Sequence, residues 1–412
     1  MVVVVSATRG AHVEVADARR RSVVMISGVQ ATEVSIFSRM TALAEQTGAL
    51  NLGQGFPDFD GPAAVLEAAI AALRAGHNQY PPVPGVPPLR RAIADHQRRH
   101  YGIALDPDRE IQVTFGATEA LAAALLALVG PGDEVAFLDP TYDAYPAVVA
   151  LAGASARPIA LRPPHWRLEP AAIEAAISPR TRVLLLNSPH NPTGRVLDGD
   201  ELELLAATCR ERDLIALTDE VYEHLVFDGT HVPIATLPGM ADRTLTVSSI
   251  GKTYSVTGWK IGWASGPAEL IARLRAVKQF LTFAGGTPLQ HAAAAALALP
   301  DEVAGELAGV LRAKRDRLAD GLRGAGFDVL PSAATYFLNA DGTPLGEPDA
   351  TALCERLVRE AGVVAIPIAA FAADPNGATR SLVRFAFPKG DAVIDEAVRR
   401  IGRWASERAK PG

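Results

Sequence analysis

Lys252 stands in the stretch Ser248-Ser-Ile-Gly-Lys-Thr-Tyr-Ser-Val-Thr-Gly-Trp-Lys-Ile-Gly-Trp263, directly after a run of strand-forming residues. A lysine just beyond a strand end can be desolvated in a crevice, which lowers its pKa and frees the amine to condense with a carbonyl cofactor. Taken alone it is one of 40 basic residues and would be read as solvated. Its neighbours change that reading. Ser249 offers a hydroxyl one helical turn earlier and Lys260 a second cation, and both suit a phosphate.

Three further stretches also follow apolar runs. In Leu217-Thr-Asp-Glu-Val-Tyr-Glu-His224, Asp219 is the first acid after the run. A buried carboxylate there needs a cation, and a protonated pyridine nitrogen is a suitable one, because the pair keeps the ring an electron sink. Asp suits a helix N-cap equally well, so both readings of Asp219 stand. Tyr222 can aim its phenol at the same ring or simply pack. In Asn187-Ser-Pro-His-Asn-Pro-Thr-Gly194 the prolines and glycine force a rigid turn that presents Asn191, although Asn-Pro is common in turns of every kind. In Phe115-Gly-Ala-Thr-Glu-Ala120 a strand passes through glycine into a helix, and the first N–H groups of such a helix make an anion site; a turn without a ligand is the commoner case. His190 and the other histidines show no metal-ligand spacing in the linear sequence, so no metal and no catalytic histidine is expected.

The elements that must position these residues are short strands alternating with longer helical patterns from Ile111 onward. Strands are expected at 111–115, 135–138, 183–186, 214–217 and 244–247, each running into a polar or glycine-containing turn. That alternation predicts an α/β fold with a mostly parallel sheet flanked by helices, which binds ligands at the carboxyl ends of its strands. After about residue 300 the pattern becomes a long charged helix, 301–323, then strands at 336–338, 363–366 and 382–387: a smaller α+β domain. The expected division is a large domain at 63–299, a small one at 300–412, and a segment 25–62 packing with the small domain. Residues 1–24 read as a disordered arm or a start placed too early, with Met25 as the alternative.

Composition narrows the partners. Of 412 residues, 49% are hydrophobic and 21% charged, which suits a globular chain. A net charge of −6 leaves no basic surplus for a phosphate backbone, so no nucleic acid partner is expected. No apolar run approaches the ~20 residues a membrane span needs. Cys209 and Cys354 are too few for a disulfide framework, and a cytoplasmic setting is expected.

In this order the four stretches resemble the class I/II aminotransferases of PLP fold type I, from about Asn51 to Phe387. The likeness is greatest to the group of kynurenine/glutamine transaminases, methionine aminotransferases and N-succinyldiaminopimelate aminotransferases. The markers are Gln54-Gly-Phe-Pro-Asp58, Asn78-Gln-Tyr80 with Gly85 and Pro87-Pro-Leu89, and Ser188-Pro-His-Asn-Pro-Thr-Gly194.

The resemblance implies a homodimer that moves an α-amino group between an L-amino acid and a 2-oxo acid, with pyridoxal 5′-phosphate (PLP) carried on Lys252. It implies that Asp219 meets the pyridine nitrogen and that Asn191 and Tyr222 meet the 3-oxygen. The phosphate would fall to Ala117, Thr118, Ser249 and Lys260, with Tyr80 reaching in from the other subunit. Tyr142 would stack on the ring, and Gly55, Asn191 and Arg384 would meet the substrate, Arg384 binding its carboxylate.

Strand alternation over 381–387 puts Val383, Phe385 and Phe387 on one face and Arg384 on the other, so the arginine need not be buried in the core. The chain departs from the kynurenine transaminases at Val34, Thr118 and Ala284, where several of them have aromatic rings near the substrate. Glutamate or glutamine is the expected donor, with succinyl-diaminopimelate, methionine or an aromatic oxo acid as partner. The alternatives are a C–S β-lyase on the same scaffold and a PLP-binding regulator without turnover.

Overall fold

A computed structural model describes residues 36–408. Residues 1–24, read above as an arm or a misplaced start, and Val34 lie outside the described residues.

Helix α1 (Ile36–Thr47) leads into strand β1 (Leu50–Asn51), and helices α2 (Ala63–Arg74) and α3 (Pro87–Tyr101) follow. The next strands are β2 (Ile111–Phe115), β3 (Glu134–Asp139), β4 (Ser155–Ala160), β5 (Thr181–Asn187), β6 (Ile215–Asp219), β7 (Thr244–Ser249) and β8 (Ile261–Ser265). They form one sheet in the order β2-β8-β7-β6-β5-β3-β4. The pairs from β7 across to β4 are parallel, and β8 runs antiparallel to both of its neighbours. Near-continuous apolar runs such as Thr181–Asn187 are what a sheet covered on both faces requires. Alternation divides them: Leu184 and Leu186 face one apolar cluster, while Val183 and Leu185 face another built on helix α4 (Gly116–Leu128).

Two strands of this large sheet went unanticipated. β4 is an exposed edge strand carrying Pro158, a residue that argues against a strand anywhere but an edge. β8 is buried along its whole length, yet its residues were absorbed into the lysine-bearing stretch.

The last strands are β9 (Asp328–Val329), β10 (Phe337–Asp341), β11 (Val363–Val364), β12 (Ile366–Pro367) and β13 (Leu382–Ala386). Four of them make an antiparallel sheet, β12-β13-β10-β9, and the long charged helix spans Asp301–Gly324. The single strand expected at 363–366 is two. Val363 and Val364 pair with Leu50 and Asn51, whereas Ile366 and Pro367 pair with Arg384 and Val383. The chain changes partner at Ala365, so one apolar run serves two sheets. The β1–β11 pairing also fastens the N-terminal segment to the C-terminal third.

Candidate active site

The carboxyl ends of β2, β3, β5, β6 and β7 open on one cavity of about 430 Å³, within the range of small-molecule sites. Gly55, Ala117, Thr118, Tyr142, Asn191, Asp219, Tyr222, Ser249, Lys252, Lys260 and Arg384 all line it. Tyr80 does not: it is 78% exposed and its ring stands edge-on to Phe283.

Lys252 lies in the short helix Ile250–Thr253, which Ser249 precedes at the end of β7. Its Nζ donates to Gly55 O at 3.2 Å and lies 5.6 Å from the centres of the Tyr222 and Tyr336 rings. Burial pushes its pKa down to about 8; Asp219 opposes the shift, and Lys260 and Arg384 add to it. About a tenth of the amine is therefore neutral and nucleophilic at pH 7, far more than for an ordinary lysine.

Asp219 ends β6. Its Oδ2 accepts from Tyr145 Oη at 2.7 Å and its Oδ1 from Val221 N at 3.3 Å. Turns, not a helix, follow it, which removes the N-cap reading. Burial raises its pKa to about 6, although the Tyr145 hydroxyl and the Val221 N–H pull the other way. Asn187 bridges the adjacent strand ends: its Nδ2 donates to Asp219 O and its Oδ1 accepts from Asn191 N, both at 2.8 Å.

At the other end, α4 begins at Gly116, with Gly116 at φ +71°. A Cβ on Gly116 would come within 3.2 Å of Lys260 Nζ, and one on Gly262 within 2.7 Å of Ala117 N. Only glycines let the helix start, β8 and Lys260 approach so closely. Lys260 itself is held at φ +55°, a left-handed conformation uncommon for a non-glycine residue. Helix N–H groups, Ser249 and Lys260 thus converge on one anion-sized space.

Arg384 overturns one expectation: it is 1% exposed. The alternation holds, with Val383, Phe385 and Phe387 in the apolar cluster opposite. The face that carries Arg384 is not open to water, however, because β13 is an interior strand and the rings of Phe337 and Phe371 enclose the guanidinium at 3.9 and 4.4 Å. Nη1 donates to Asn191 Oδ1 at 2.9 Å and Nη2 to Gly53 O at 3.2 Å. Burial lowers its pKa to about 10, which still leaves it charged.

Sequence reasoning missed Tyr145, Phe337 and Phe371. The first had a signal, since Tyr142 and Tyr145 fall one turn apart beyond β3; the two phenylalanines had none, being ordinary core residues by type. Of the positions noted as departures, Thr118 lines the cavity and Ala284 is buried outside its lining.

The donor set fits PLP. The Asp219 carboxylate is buried with one hydroxyl and one N–H, and no cation lies within ion-pair distance among the described residues, which suits a protonated ring nitrogen. The anion space suits a phosphate, and Lys252 stands in the same cavity for a carbonyl.

A family model described as "Aminotransferase class I and II" matches residues 47–401, and the chain belongs to that family. It is an aminotransferase with that family's fold. A protein of Mycobacterium tuberculosis named as a probable N-succinyldiaminopimelate aminotransferase is 51% identical over 395 residues, which cover 93% of this chain and 99% of that one. The methionine aminotransferase of Escherichia coli is 42% identical, over 89% of this chain and 95% of its own. The solved structure of N-succinyldiaminopimelate aminotransferase from Mycobacterium tuberculosis superposes with a TM-score of 0.88 at 52% identity, covering 90% of this chain and 97% of that one. Neither β-elimination nor a non-catalytic role is favoured by these relatives.

Proposed function

We propose that the chain uses PLP, held on Lys252, to exchange an α-amino group between an L-amino acid and a 2-oxo acid. The observation that carries this reading is the meeting of a half-buried lysine of lowered pKa, a buried carboxylate without a cation and a buried arginine in one cavity. When bound, PLP supplies a sink for the electrons left at the substrate's α-carbon. Asp219 would hold the ring nitrogen protonated, and Tyr145 would fix the carboxylate. Asn191 and Tyr222 would meet the 3-oxygen, and Tyr142 would cover the ring face. Ala117, Thr118, Ser249 and Lys260 would hold the phosphate. Arg384 would bind the substrate carboxylate with a fork already oriented by Asn191 and Gly53. Lys252 Nζ would then carry the proton taken from the α-carbon.

The working form on this reading is a homodimer in the cytoplasm, with Tyr80 of one protomer reaching the phosphate end of the other. The exposed rings of Tyr80 and Phe283 stand edge-on to each other and Phe280 is also exposed, apolar area suited to such an interface. Two buried, unpaired cysteines suit a reducing compartment. Glutamate or glutamine would serve as donor, and the relatives' names favour an N-succinylated diamino acid as the first partner to try, then methionine. A panel of single half-reactions, read by the cofactor's absorbance, tests the reading. Conversion by no amino acid would overturn it.

A further inference from the structure

Three of the nine histidines meet at one point that the reaction outlined above does not use. His96 and His100 lie one turn apart near the end of α3, and His224 closes the turn that follows Asp219 and Tyr222. One nitrogen from each ring falls within 4.8 Å of the other two. The ring centres are nearly equidistant, at 4.5, 4.7 and 4.9 Å. His96 is buried and the other two are half-buried. Contrary to the expectation that no histidines have ligand spacing, His96 and His100 stand at i, i+4, a ligand pair in form, and the third member is far away in sequence.

The plainest account is a neutral hydrogen-bonded pair, because His96 Nε2 and His224 Nε2 are 2.7 Å apart. Glu223 argues for more. It is buried beside the cluster, and its carboxylate accepts only hydroxyls, from Tyr101 at 2.7 Å and Ser248 at 2.5 Å. No lysine or arginine pairs with it among the described residues. A buried carboxylate met only by hydroxyls thus lies next to His224, and a cation held by the three converging rings would offset it.

We propose that His96, His100 and His224 bind one divalent cation of the zinc class through three imidazole nitrogens, tying α3 to the segment that carries Asp219 and Tyr222. Imidazole donors favour zinc, nickel or copper over magnesium and calcium. Tetrahedral zinc–nitrogen bonds place ligand atoms about 3.3 Å apart, so His96 and His224 need part by only about 0.6 Å. The half-buried rings of His100 and His224 have room to adjust. Asp301 Oδ1, 3.4 Å from His100 Nε2, stands where a carboxylate orients a ligating ring. Arg99 approaches the same nitrogen at 3.4 Å, but its charge is met by Asp301 at 3.1 Å. Water from the exposed side completes the shell.

The test uses tag-free holoenzyme, dialysed against chelator and titrated with Zn²⁺ alone, with His100→Ala and His224→Gln as variants. The expected result is about one equivalent per chain for the wild type, weakened about 10-fold or more in each variant. Co²⁺ should give the visible absorption of a tetrahedral nitrogen site in the wild type and lose it in both variants. The cofactor's own absorbance should stay unchanged, which separates this site from metal held at the cofactor. Absence of binding, or a cobalt spectrum that persists in either variant, overturns the proposal.

Discussion

The hydroxyl of Tyr145 donates a 2.7 Å hydrogen bond to Asp219 Oδ2 inside the protein, and it is the only side-chain donor to that carboxylate among the described residues. Tyr145→Phe removes that donor without changing ring volume. It should keep the cofactor and slow turnover by about 5-fold, a net loss of ~1 kcal/mol that matches one hydrogen bond. Asp219→Asn should cost about 100-fold or more, the scale of a single preorganised electrostatic group. Steady-state rates for both variants check the order of these effects.

In the cofactor-free protein Asp219 has a pKa raised to about 6, above the roughly 3.9 of an unfolded chain. For an acid shifted upward, the folded state binds more protons, so stability is greatest below pH 4 and is lost as pH rises through 6. The cofactor-free Asp219→Asn variant lacks this penalty. Its stability relative to wild type should grow between pH 4 and 6 by on the order of 3 kcal/mol. Urea unfolding of both proteins across that window measures it; a flat difference would remove the raised carboxylate.

Lys252→Ala should fold and lose covalent attachment of PLP. Borohydride reduction of the wild-type holoenzyme followed by peptide mapping locates the modified residue. Label on another lysine sinks the assignment.

Arg384→Lys keeps the charge but cannot bond Asn191 Oδ1 and Gly53 O at once while lying between Phe337 and Phe371. The expected result is unchanged cofactor absorbance with kcat/KM lowered by about 100-fold, near the 1.5–3 kcal/mol of a charge-assisted hydrogen bond. The loss should be the same for every amino acid, because the α-carboxylate is common to all. A loss confined to one side chain would move Arg384 away from the carboxylate.

Gly262→Ala should weaken PLP more than it weakens the fold. The added methyl meets Gly116 C at 2.6 Å and Ala117 N at 2.7 Å, which displaces the helix start that the phosphate would need. Overpacking of this kind costs about 1–3 kcal/mol. Equilibrium binding of PLP and a thermal melt, run together, separate the two effects.

The amino-acid sequence by itself determined the α/β class, the strands that end at Phe115, Asn187, Asp219 and Ser249, and the candidate residues just beyond them. Periodicity, turn residues and chain order are local properties, and local spacing encodes them. The tertiary structure alone decided whatever depends on residues distant in sequence. It removed the capping role from Asp219, roofed Arg384 with Phe337 and Phe371, split the apolar run at Ala365 between two sheets, and brought His224 to His96 and His100. The physical reason is common to all four: alternation tells which face a side chain takes, but what covers that face, water or protein, is settled only when other elements pack against it.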